Sequence, residues 1–369
     1  MYIRILHKQR LRQGGILLLF LGAAVLLLRF PAAVATGVSR GLAVCGEVII
    51  PSLFPFLVLS GVFIHSGTAA AVGHKLENVA RRVFNLSGNG AAVLLIGAVG
   101  GYPAGAAAVR DLLERREIEE KEATRLLWCC VNGGPAFIIG TVGARLLGSA
   151  YKGVLLYTAH LLASLMIALF SRRFGTERKQ NVPPARKVPF SAAFSAAVAR
   201  AVTAVLGMSG FVLLFSAVLT LSDATGITSV MFSTFTNADV PSAVWAAFWE
   251  VSCGAVGLTS CRVAGKGLAF LLGAALGWGG VSVLMQIRGM FSEHALSWKN
   301  FYSARAIHAL LGGAFSGALF WVMPMPQTTA AVAAPLYTVT AVHPFSVSAA
   351  ASAALMLLCG GVMLSAARE

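Results

Sequence analysis

Four interruptions inside apolar sequence are where this chain could do chemistry: Gly100-Gly101-Tyr102-Pro103, Asn132-Gly133-Gly134-Pro135, Glu250-Val251-Ser252-Cys253-Gly254, and Gly279-Gly280-Val281-Ser282 with Gln286 one turn further on. Glycine and proline pairs punctuate helices. Backbone freed at membrane depth persists only where protein buries it or where it lines a wet cavity, because lipid cannot satisfy its N–H and C=O groups. A helix N-terminus at such a break carries about half a positive charge and suits a carboxylate or phosphate, while free carbonyls suit a cation. Asn132, Ser282 and Gln286 add neutral hydrogen-bonding groups, and Tyr102 adds a ring and a hydroxyl. The pattern therefore suits a small polar or anionic solute. Close helix packing is the alternative use of such glycines; it explains one pair more economically than four breaks.

Two acids, Glu47 and Glu250, stand inside apolar segments, where an ionisable group is costly unless it faces a cavity or a partner. Glu250 sits at a break, so it reads as a proton or cation carrier or as an acceptor for a substrate donor. A carboxylate bonded to freed amides of the opposite hairpin is the structural alternative. Glu47 lies near a segment end and reads as interfacial. His65, His74, His160, His294, His308 and His343 are scattered and read as loop or interface residues. The six cysteines lie in apolar stretches without metal-ligand spacing, as packing residues rather than disulfides. There is no Ser/His/Asp set, phosphate loop or redox pair, so neither an enzyme nor a cofactor is expected.

The elements that must position these breaks are membrane helices. The chain has 369 residues, 57% hydrophobic and 12% charged, with a mean hydropathy of +0.78. A soluble domain carries about 25% charged residues. At about 20 apolar residues per crossing, the length allows eight to ten segments. Apolar stretches cover about residues 14–28, 42–64, 126–147, 153–171, 201–221, 268–287, 306–323 and 346–366. The stretches 91–109 and 242–258 are broken centrally and read as re-entrant hairpins. Pro51 and Pro55 should kink the second segment. Residues 69–90 have the spacing of an amphipathic surface helix, and 110–125 that of a solvated helix. Arg4, Lys8, Arg10 and Arg12 before the first apolar run, with Ala33-Val34-Ala35 after it, have the shape of a cleavable signal. An uncleaved first helix is preferred, because so many apolar segments follow.

The fold expected is all-α and polytopic, an inverted repeat with two re-entrant hairpins and discontinuous helices. A first half, 1–171, and a second, 191–369, flank a basic cytoplasmic linker at 172–190. With the N-terminus in the cytoplasm, twenty-three of the 29 Lys and Arg fall on the inner side, which satisfies the positive-inside bias. The net charge of +15 is thus topological, and nucleic acid is not an expected partner, because no basic, aromatic-interleaved module exists. The hairpins then enter from opposite sides, as in secondary transporters.

Pro51-Ser52-Leu53-Phe54-Pro55-Phe56, Gly100-Gly101-Tyr102-Pro103-Ala104-Gly105, the run from Asn132 to Gly143, Glu250-Val251 and Gly279-Gly280-Val281-Ser282 also carry a resemblance. The chain resembles the sporulation integral membrane proteins (YlbJ-like), with nucleoside-recognition or gate domains similar to those of concentrative nucleoside transporters. The resemblance covers about residues 40–320. It departs from the family pattern at Val131 and Gly133, at Ala106 or Ala107, at Ser252-Cys253-Gly254 and around Leu284. The resemblance implies transport of dipicolinate, a pyridine dicarboxylate, across the outer forespore membrane of an endospore former. A nucleoside or nucleobase transporter and a non-transporting membrane scaffold are the competing expectations. Membrane lipids are expected partners, and a homo-oligomer and a coupling proton or sodium ion remain open.

Overall fold

In a computed structural model, residues 2–175, 189–235 and 238–323 are described. The predicted segment 346–366, His343, Cys359 and most of the basic linker lie outside the described residues. Within them the chain is helical, as an apolar chain in lipid must be unless it closes a barrel.

Helix α1 (Tyr2–Arg29) meets α2 (Pro31–Val44) at Phe30, where the axis bends by 92°. Ala33-Val34-Ala35 lies inside α2. A π-helical turn, Cys45–Ile49, joins α2 to α3 (Ile50–His65). The predicted second segment thus begins at Pro31 rather than near residue 42. The expected proline kink takes the form of this widened turn. Pro51 has no N–H to offer the carbonyl four residues back, and that carbonyl, of Glu47, is taken instead by Arg145 Nη1. Glu47 itself is exposed, with its carboxylate 3.3 Å from Arg145 Nη2.

The amphipathic α4 (Thr68–Phe84) ends in a left-handed Asn85 and turns by 90° into α5 (Gly88–Gly100). There follow α6 (Tyr102–Glu114), α7 (Glu120–Cys130), a second π-helical stretch (Ala136–Leu146) and α8 (Ala150–Ser171). The solvated helix expected over 110–125 is two helices. Its last residue, Arg125, is buried and donates to carbonyls of Phe84, Asn85 and Ser171, the C-terminal ends of α4 and α8. The last carbonyls of a helix have no following N–H to pair with, and this guanidinium supplies the donors.

After the linker come α9 (Phe190–Ala224), the short α10 (Ile227–Phe232), α11 (Asp239–Trp249), α12 (Val251–Ser260), α13 (Gly265–Trp278), α14 (Gly280–Met290) and α15 (Trp298–Val322). The order of elements therefore recurs: a hairpin (α5–α6, then α11–α12), an interrupted helix (α7 with the second π-helical stretch, then α13–α14) and a closing helix (α8, then α15). The two hairpins, the interrupted helices and the paired closing helices share one continuous core, while α2 and α3 pack along α9. Among the described residues, four helices are long and apolar enough to cross a membrane, or up to six if each bent pair is one span. The interrupted helix α13–α14 is one of these spans, Gly265–Met290, and the apolar stretch 346–366 lies outside the residues counted. The fold is an all-α polytopic membrane protein.

Candidate functional site

The first hairpin turns at Gly101, whose φ of +83° is the region that favours glycine. It turns against the next break: a Cβ on Gly134 would stand 3.2 Å from Gly101 Cα. The second half repeats the arrangement. Gly279 and Gly280 both have positive φ, and a Cβ on Gly280 would meet Trp249 O and Val251 N at 3.0 Å. The apex of α11–α12 thus sits on the break between α13 and α14.

Tyr102 ties the two pairs of breaks together. Its hydroxyl donates to Leu276 O at 2.6 Å, and its ring lies against Gly279. All four interruptions, up to 180 residues apart in sequence, are one constellation. Between them is a partly open cavity of about 50 Å³, lined by Gly100, Gly101, Tyr102, Pro103, Gly134, Glu250, Ser252, Ser282 and Gln286. Apolar side chains of α3 and α9, including Leu53, Leu57, Met208 and Val212, also line it. Asn132, Gly133, Cys253, Gly254, Gly279 and Gly280 stand behind this wall rather than in it.

Glu250 is 2% exposed. Its backbone is extended, and its carboxylate caps α12 by accepting from Cys253 N at 2.7 Å. The amide it takes is thus in the second limb of its own hairpin, not in the opposite one. An acid at a helix N-terminus is stabilised by both the orphan N–H and the dipole. Cys253 Sγ approaches Ser216 Oγ of α9 at 3.2 Å. Gly254 packs so closely on Ala247 that a Cβ would fall 2.1 Å from its Cα, which is what lets the two limbs of the hairpin touch. The cysteines described are free thiols.

Asn132 turns away from the cavity. Its amide donates to Cys129 O at 2.8 Å and to Ser164 Oγ at 3.2 Å, so it closes the C-terminal end of α7. The carbonyls beside both breaks are met by one buried cation. Arg305, in α15, is fully buried. It donates to Val131 O at 2.6 Å, to Gly277 O, and at 3.5 Å to Trp278 O. His308 Nδ1 is 3.1 Å from its Nη1, and His308 Nε2 is 3.1 Å from His160 O. A guanidinium only donates, so His308 accepts at Nδ1 and donates at Nε2. His160 stacks on His308 with ring centroids 4.4 Å apart and accepts from Gly133 N at 3.0 Å. These two histidines are interior parts of the constellation, not loop or interface groups.

The chain is 30% identical over 343 residues, covering 85% of it and 82% of the relative, to the sporulation integral membrane protein YlbJ of Bacillus subtilis. The chain belongs to the YlbJ family of sporulation integral membrane proteins. No protein-family profile matches it, and no solved structure does either.

For this YlbJ-family member, the residues that sequence reasoning missed are Arg305, His308, His160, Ser164 and Arg125. A usable signal existed for Arg305: it is a lone cation followed by apolar residues and by a histidine one turn on, which at membrane depth marks a buried partner. The apolar run begins only at residue 306, whereas α15 starts at Trp298, so Arg305 falls inside the helix but outside the run.

Proposed function

We propose that this YlbJ-family protein carries a small anionic metabolite across a bacterial inner membrane, with dipicolinate across the outer forespore membrane as the substrate. One observation carries the reading: two hairpins and two broken helices, one of each from each half, meet around one cavity with Glu250 in its wall. In this reading the halves 1–171 and 191–369 are inverted repeats joined by a cytoplasmic linker, with the N-terminus in the cytoplasm. The relative's name supplies sporulation and the membrane.

At about 10–15 Å³ per water, a cavity of about 50 Å³ holds a few waters and not a pyridine dicarboxylate. Loading therefore requires the hairpin pairs to part, in the manner of one repeat rocking against the other. The N-terminal ends of α6 and α14, which begin at the cavity wall, would attract a carboxylate through their dipoles. Glu250 would repel it by about 4 kcal/mol at 4 Å in an effective dielectric of 20, so the anion travels with a compensating proton or cation.

The test is uptake of dipicolinate by proteoliposomes holding the purified chain. Saturable uptake is expected, reduced about tenfold or more by Glu250→Ala, the equivalent of at least 1.4 kcal/mol, with the variant still present in the membrane. Competition by uridine or adenosine but not by dicarboxylates would select a nucleoside carrier. Absence of any uptake, with normal dipicolinate in spores of a deletion strain, would leave a membrane scaffold.

A further inference from the structure

Two helices end inside the protein near the cavity, α7 at Cys130 and α13 at Trp278. Each C-terminus carries roughly half a negative charge and carbonyls that no following turn can satisfy. In carriers built from broken helices, such ends and the unwound carbonyls beside them are where a coupling sodium or proton is held.

Here every such carbonyl of α13 already has a partner. Ala275 O accepts from Gly279 N, Leu276 O from the Tyr102 hydroxyl, and Gly277 O and Trp278 O from Arg305. Across the break, Val131 O accepts from the same guanidinium at 2.6 Å. Arg305 is 0% exposed, and among the described residues no carboxylate forms an ion pair with it. Its charge is balanced instead by the two helix ends, about half a unit each.

We propose that Arg305 is a resident cation, standing where broken-helix carriers bind a coupling sodium ion, so that this protein works without sodium. A guanidinium stays protonated in proteins, so the position is permanently charged. Its fork reaches both halves at once, from Val131 in the first to Gly277 in the second, and holds the two broken helices in register. His308 and His160 back the fork and keep it from turning away. The claim rests on the transport reading for its consequence, but the filled cation position can be tested without any substrate.

The purified full chain is unfolded thermally in detergent in sodium chloride and in choline chloride. Equal midpoints are expected; a saturable stabilisation by sodium would overturn the proposal. Arg305→Ala should lower the midpoint by about 10 °C and regain part of it in millimolar guanidinium or sodium chloride, but not in choline. An Ala variant indifferent to all three cations would count against the assignment, because a purely mechanical brace would not be rescued by a free ion. Arg305→Lys keeps the charge without the fork, so it should be less stable than the wild type yet still indifferent to sodium; sodium stabilisation of the Lys variant would also overturn it. In proteoliposomes, dipicolinate uptake should be equal in sodium and choline. Uptake absent in both salts speaks against dipicolinate transport, while the unfolding data still judge the place of the cation.

Discussion

Tyr102 and Glu250 illustrate how a single polar side chain can be both cavity wall and scaffold. The Tyr102 hydroxyl is bonded to Leu276 O, so Tyr102→Phe removes one partner and leaves a buried carbonyl unsatisfied. Such a group costs about 1–3 kcal/mol, so the thermal midpoint should fall by a few degrees in purified protein without loss of the fold. Glu250→Gln and Glu250→Ala separate the two duties of the acid. Gln keeps an oxygen that can accept from Cys253 N, so its midpoint should stay near that of the wild type, whereas Ala loses the cap at about 1 kcal/mol. If Glu250 carries charge during transport, uptake falls in both variants although only Ala is destabilised. Equal uptake by Gln and wild type would reduce the residue to its capping role. Asn132 was legible as a polar residue at a break, but its direction was not: the sequence cannot say that its amide points to Ser164 in α8.

The hairpins are held by the absence of side chains. A Cβ on Gly97 or Gly105 would fall 2.1 or 2.2 Å from Cys130 O, so α5 and α6 clasp the end of α7 between two glycines. Gly254 does the same within the second hairpin against Ala247. Gly105→Ala and Gly254→Ala should therefore fail to accumulate as folded protein, because the obstructing atoms are backbone and cannot step aside. Gly140→Ala, where nothing lies within 4 Å, should accumulate normally; membrane yield and size-exclusion profiles compare the three. The existence of both hairpins was legible, since Gly100-Gly101 and the stretch around Glu250 interrupt apolar sequence. The boundaries of 42–64 and 110–125 were less so. At Pro51 the missing N–H is absorbed by a π-helical turn and by Arg145, which comes from another helix, and at Arg125 the side chain folds inward to cap two helix ends.

For the whole molecule, the arrangement of charge predicts which faces of the membrane the loops occupy. A membrane-impermeant thiol reagent applied to intact cells should label single cysteines at Lys152 and Arg262, and miss one at Arg115, in a background lacking the native cysteines. The reverse pattern would overturn the proposed orientation, and labelling of all three would overturn the loop assignment. Composition was enough for the membrane class, and long apolar runs without the alternation of barrel strands were enough for helices, since both follow from the solvent that an apolar chain needs. Glycine and proline placed the four breaks, because backbone freedom is a local property. Only the tertiary structure decided that the breaks converge, and which groups satisfy them. Arg305 reaches Val131 and Tyr102 reaches Leu276 across 174 residues each. Such pairings answer to packing between helices, where a freed carbonyl takes whatever donor the neighbouring helix brings near, and no local pattern of residues records that choice.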